Sequence, residues 1–132
     1  MKNRANISRP FDLSLRAYTR PPMPRAVTSP DPAVMDALRA LSNPMRLQIL
    51  QWLREPEKHF PLNRAIADPA EVGICVSHIQ EKTGLAQSTV SAYMAELQRA
   101  GLVQATRVGK WTHYKRDEER IAELLGVLGD TL

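Results

Sequence analysis

The chain of 132 residues predicts a mainly α-helical domain with a small β-hairpin. Three observations carry that expectation. Apolar residues recur at helical spacing in about five segments from residue 31 onward. Two of those helices are separated only by the turn Gly84-Leu85-Ala86. Two β-prone runs, 102–107 and 111–115, flank Gly109-Lys110 and read as a hairpin. The composition agrees: aliphatic residues dominate an apolar share of 43%, and aromatics amount to 5%, which favours packed helices over an aromatic-rich sheet.

Five of the ten prolines (Pro10, Pro21, Pro22, Pro24, Pro30) fall within residues 1–30, among scattered arginines. Proline removes an N–H and restricts its predecessor, so 1–30 is expected to be a flexible basic arm rather than a helix. Such an arm can add phosphate or minor-groove contacts; the plainer readings are an inert tail, or a true start at Met23. The domain proper is expected over 31–132. Asp31 caps and Pro32 opens the first helix, with Val34, Leu38 and Leu41 at helical spacing. Asn43 and Pro44 restart the chain, and Leu47, Ile49, Leu50 and Leu53 face inward from the second helix. Residues 56–70, with Pro56, Pro61 and Pro69, read as a long loop. A third helix over 72–83 carries Val76 and Ile79 and closes at Gly84. A fourth spans 87–100. The last, over 117–128, places Ile121, Leu124, Leu125 and Leu128 on one side of an acidic helix.

Two short helices, a tight turn and an immediate hairpin make a helix-turn-helix with a wing. Val90, Met94 and Leu97 face inward from its second helix, while Gln87, Ser88, Thr89 and Ser91 crowd the first turn and a half. A recognition helix presents its N-terminal residues to base edges in the major groove. Gln pairs bidentately with adenine, and Ser and Thr reach bases or phosphates. Ordinary N-capping would also place polar residues there, so the neighbouring charge matters. Residues 82–116 hold six bases against the single acid Glu96, whereas 117–132 hold five acids against Arg120. Arg107 and Lys110 at the hairpin tip are placed to grip the phosphate backbone, where a plain soluble turn is the alternative. Trp111 and Tyr114 are expected to pack against the second helix.

Residues 37–50, Ala-Leu-Arg-Ala-Leu-Ser-Asn-Pro-Met-Arg-Leu-Gln-Ile-Leu, resemble the opening helices of the ArsR/SmtB family of bacterial repressors. Gln87-Ser88-Thr89-Val90-Ser91, residues 97–103 and residues 109–114 resemble its recognition helix and wing, in the same order and spacing. The resemblance implies a homodimer joined through the first and last helices, here 33–41 and 118–131. It also implies a palindromic double-stranded DNA operator, repressed until an inducer arrives. Ala92 and Tyr93 depart from the family's usual residues, and Tyr93, where His is common, joins the expected DNA contacts. Arsenic and cadmium sensors of the family carry two cysteines where this chain has Cys75 and Ser77. Cys75 with His78 supplies too few ligands for a soft metal, residues 117–132 contain no histidine, and His59 and His113 stand isolated. No metal or cofactor is therefore expected, Cys75 is expected to be a small buried residue, and a small-molecule inducer stays open.

Two other readings remain at this point. One is a thiol- or metal-responsive repressor using Cys75; the other is a winged-helix protein-interaction module without specific DNA binding. An enzyme is not expected, because no nucleophile–base pair, phosphate loop or paired carboxylates stand in a motif. The lone cysteine fits a reducing cytoplasm. Neither a secretory h-region nor a membrane-length apolar run is present in the sequence.

Overall fold

The computed structural model describes residues 31–132, so the arm expected over 1–30 lies outside the described residues. Along them run α1 (Pro32–Leu41), α2 (Pro44–Arg54), α3 (Pro56–His59), a 3-10 turn (Leu62–Arg64) and α4 (Pro69–Val72). Strand β1 (Ile74–Cys75) leads into α5 (Val76–Thr83) and α6 (Gln87–Arg99), then β2 (Val103–Val108), β3 (Trp111–Arg116) and α7 (Glu118–Thr131).

Helix starts follow the local chemistry. Asp31 accepts from the Ala33 N–H at 2.9 Å. Asn43 Oδ1 accepts from the N–H groups of Met45 and Arg46 at 2.9 and 3.0 Å, and Asp117 accepts from Arg120 N–H at 3.0 Å. Each satisfies donors that a first turn leaves without partners, an effect worth about 1 kcal/mol per cap. The end of α6 is equally defined. Leu102 N–H donates to the Leu97 carbonyl and Gly101 N–H to the Gln98 carbonyl, both at 2.9 Å. This paired closure turns the chain out of the helix and straight into β2. Leu97 and Leu102 on either side of it are both in the core.

Ile49, Ile79, Val90, Met94 and Leu97 are completely buried, so the core lies where α2, α5 and α6 converge under the sheet. α1 packs on α2, α6 and α7. Arg116, on β3, donates to the Leu50 carbonyl of α2 at 3.2 Å and pairs with Glu118 at 2.8 Å, which fixes the hairpin base against the rest of the domain.

Four expectations change. First, residues 56–70 are not a structureless loop. Pro56 and Pro69 occupy the first turns of α3 and α4, and Pro61 precedes the 3-10 turn. Proline suits a first turn because its φ is already set and its missing N–H would have had no partner. The segment is anchored by Phe60, whose ring meets Trp52 edge-on at 6.5 Å, and by the 3.0 Å ion pair of Arg64 with Glu81 on α5. The described residues thus hold seven α-helices where about five were expected.

Second, the hairpin gains a third strand. Ile74 pairs with Tyr114 and Cys75 with His113, giving the antiparallel order β1-β3-β2. The helix expected from Val72 accordingly starts at Val76. A two-residue strand has no periodicity to read.

Third, one leucine on each of α1, α2 and α7 leaves its expected apolar face. α1 buries Val34, Ala37 and Ala40, leaving Leu38 41% exposed. Leu47 is likewise 41% exposed and Leu125 63% exposed, while Leu124 is the buried residue of α7. Small alanines let α1 approach its neighbours closely, so the larger Leu38 points elsewhere.

Fourth, the two wing aromatics part: Tyr114 joins the core cluster that holds Val90, Met94 and Leu97 of α6, and Trp111 does not. Trp111 is 38% exposed. Tyr114 is buried and lines a cavity of about 170 Å³ with Leu53 of α2 and Pro69 of α4.

Candidate nucleic-acid interface

The turn between α5 and α6 is held by its own hydrogen bonds. Gly84 N–H donates to the Gln80 carbonyl at 2.9 Å. Thr83 Oγ1 donates to that same carbonyl at 3.0 Å and accepts from Leu85 N–H at 3.2 Å. α6 is therefore fixed at its entry by the turn, along its length by Val90, Met94 and Leu97, and at its exit by the Gly101 closure. What remains on its outer side is polar or small. Gln87, Ser88 and Ser91 are exposed, Thr89 is half-buried, and Ala92 adds an exposed methyl.

The entry to α6 differs from those of α1, α2 and α7 in its cap. Ala86 stands at the N-cap and offers no side-chain acceptor. Thr89 N–H donates to the Ala86 carbonyl at 3.1 Å, so the N–H groups of Gln87 and Ser88 are left for solvent or an anion, and the helix dipole adds partial positive charge there.

The hairpin supplies the flanking charge. Val108 pairs with Trp111 across Gly109-Lys110, so the reversal takes two residues. Arg107 Nη1 lies 3.4 Å from Thr112 Oγ1, and Lys110 Nζ lies 5.7 Å from the Trp111 ring centroid. Among the described residues neither base has an ion-pair partner. The basic segment read from the sequence is narrower than its six residues suggest. Arg116 is structural, Arg99 pairs with Glu96, and Lys82 Nζ sits 4.9 Å over the Trp52 ring. Arg107, Lys110 and Lys115 remain exposed for a polyanion.

Tyr93 is the expected DNA-binding residue with the most constrained position. Its ring is half-buried and lies under the guanidinium of Arg46, 5.4 Å from ring centroid to Cζ. Sequence reasoning does not single out Arg46, because nothing in the local pattern of α2 links it to α6.

Cys75 is buried, with Ser77 Oγ 3.2 Å from its sulfur. Across the strand pair stands His113, 2% exposed, with neither ring nitrogen partnered among the described residues. No three His, Cys, Asp or Glu among the described residues converge to hold a metal ion. His78 on α5 is a different case. Burial chiefly, then the Arg64 guanidinium, lower its pKa below the ordinary 6.5, with His113 adding to the lowering and Glu81 opposing it. The unfolded chain therefore binds this proton more readily than the folded one. The stabilising contribution is present above about pH 6.5 and is lost as pH falls toward the folded value. His78→Gln is expected to flatten this acid-side loss in urea unfolding at about pH 7.5 and 5.5. An identical profile in the variant would remove His78 as its source.

Three similarities bear on this arrangement. Over 94 residues the chain is 51% identical to the uncharacterised HTH-type transcriptional regulator YbzH of Bacillus subtilis, covering 71% of this chain and 93% of that protein. It is 35% identical over 72 residues to a putative arsenical resistance operon repressor, ArsR2, of Halobacterium salinarum, covering 54% of this chain and 59% of the other. Among solved structures it resembles the homodimeric winged helix-turn-helix DNA-binding domain of Mb0332 from Mycobacterium bovis, a possible ArsR-family regulator. That likeness has a TM-score of 0.52 and 28% identity, over 75% of this chain and 77% of that domain. No family model matches. With the helix–turn–helix–hairpin now placed, these relatives show that the chain belongs to the ArsR family of winged helix-turn-helix transcriptional regulators.

Proposed function

We propose that the chain is a repressor that binds an inverted-repeat DNA operator as a homodimer. Gln87, Ser88, Thr89, Ser91 and Tyr93 of α6 read the groove, and Arg107 and Lys110 grip neighbouring phosphates. One observation carries this reading: a rigidly seated helix presents an uncapped, polar N-terminus, and the hairpin that follows it ends in bases without ion-pair partners among the described residues. On this reading residues 31–132 form both the DNA-binding and the dimerisation unit. The dimer joins through α1 and α7, which leave Leu38, Leu125 and Val127 exposed, apolar area that a second copy would cover. The solved Mb0332 domain is homodimeric, which supports the same assembly here. The protein acts in the cytoplasm by occupying DNA, not by catalysis, and a small molecule that releases it is the remaining partner.

The test is a mobility shift on inverted repeats from DNA flanking its gene, with excess random duplex as competitor. Specific binding at least about 10³-fold tighter than random duplex is expected. Equal affinity for the two would overturn the proposal and favour a protein-interaction module. The wing has its own signature. Arg107→Gln with Lys110→Gln is expected to weaken binding to all duplexes alike. It should also lower the slope of log affinity against log salt by about 4, roughly one for each phosphate no longer neutralised, two per protomer of the homodimer. An unchanged slope would take the wing tip off the DNA.

A further inference from the structure

Arg46 stands in α2, hydrogen-bonds α1 and covers a ring of α6. Asn43 Oδ1 accepts from its backbone N–H at 3.0 Å, which fixes where the side chain leaves the first turn of α2. Its Nε–H donates to the Ala40 carbonyl at 2.7 Å and its Nη2 to the Arg39 carbonyl at 3.3 Å. Both carbonyls belong to the last turn of α1, where the helix dipole is negative; the Arg39 carbonyl also accepts from Ser42 N–H at 3.3 Å and from Ser42 Oγ at 2.9 Å. A planar fork can serve two such neighbouring acceptors, whereas a lysine ammonium has no equivalent geometry. The other side of the guanidinium faces Tyr93 at 5.4 Å, inside cation–π range. Tyr93 lies one turn beyond Thr89 on the same flank of α6, next to the polar first turns.

We propose that Arg46 is a positioning residue for DNA reading: it couples the last turn of α1 to the recognition helix by holding the Tyr93 ring. The proposal rests on the reading of α6 given above. A displacement of α1 carries the guanidinium with it, and the stacked ring transmits that displacement to the second turn of α6. In a homodimer joined through α1, the same stack sets the roll at which the two recognition helices enter successive major grooves.

The full chain tests this with Arg46→Met, which keeps the apolar stem, alongside Tyr93→Leu and Tyr93→Phe. Hydrogen exchange without DNA is expected to quicken at least about fivefold in α6 for Arg46→Met and Tyr93→Leu, with β2 and β3 unchanged and Tyr93→Phe like wild type. On the preferred duplex, Arg46→Met is expected to bind about tenfold more weakly, with random-duplex affinity unchanged. Added to Tyr93→Leu, it should cost less than about a further twofold, because the stack it would break is already absent. Unaltered exchange in α6, an equal rise throughout the domain, or fully additive losses would overturn the coupling. The exchange measurement needs no DNA. A wild-type chain without preference for any duplex would therefore count against the repressor reading, while exchange still decides the coupling.

Discussion

Replacing Gly73 by alanine is expected to destabilise the domain by at least about 3 kcal/mol and to lower its melting temperature by roughly 12 °C or more. Gly73 has φ +89°, and a Cβ there would lie 2.0 Å from the Tyr114 carbonyl oxygen and 2.8 Å from the Lys115 Cα. These are backbone atoms of the central strand, so no side-chain rotation relieves the clash. β1 must separate from β3, and the Ile74–Tyr114 and Cys75–His113 pairs break with it. Gly84→Ala is the control. Its φ is +72°, but nothing lies within 4 Å of the added methyl, so only backbone strain of about 1 kcal/mol is expected. Thermal unfolding by circular dichroism compares the two. Equal losses would mean that φ alone, and not the close approach of β3, explains Gly73.

The second large effect concerns DNA. Gln87→Ala with Ser88→Ala is expected to weaken binding to the preferred duplex about 100-fold or more. A bidentate base contact contributes roughly 1–3 kcal/mol of discrimination, and each substitution occurs twice in a homodimer. Random-duplex affinity should stay within about twofold, because that affinity comes from phosphate contacts. Both side chains are exposed, so stability should move by no more than about 0.5 kcal/mol. Fluorescence anisotropy on the two duplexes separates these effects, and a parallel loss on both would place Gln87 and Ser88 on the backbone instead of the bases.

Much of this scaffold is written locally in the chain. Asp31-Pro32, Asn43-Pro44 and Gly101 act within four residues of themselves, so helix starts and the exit from α6 can be read from the sequence. The polar first turns of α6 and its apolar triad Val90, Met94 and Leu97 are visible for the same reason: both follow the helical period. Features set by distant partners are not visible. β1 is two residues long and exists because Gly73 lets the chain pass close to β3. The face of α1 misleads in sequence because Leu38 dominates the pattern while the small Ala37 and Ala40 sit at the packed surface, and on α7 Leu125 fits the helical period yet is 63% exposed. The basic segment looks broader in sequence than in the fold, since Arg116 and Lys82 are engaged by groups that only the folded chain brings near, and Arg99 by Glu96 one helical turn before it. Arg46 and Tyr93 belong to this class too: each looks ordinary on its own helix, and their relation exists only in three dimensions.

The central claim, that the start of α6 reads base sequence, is tested most directly by selecting duplexes from a random pool with the wild-type chain and with the Gln87→Ala, Ser88→Ala variant. The account predicts that the wild type enriches an inverted repeat with half-sites about one helical turn apart or a multiple of it. The variant should keep that spacing but lose base preference at matching positions in both half-sites. Enrichment of no sequence by the wild type, or the same sequence logo from both proteins, would contradict it.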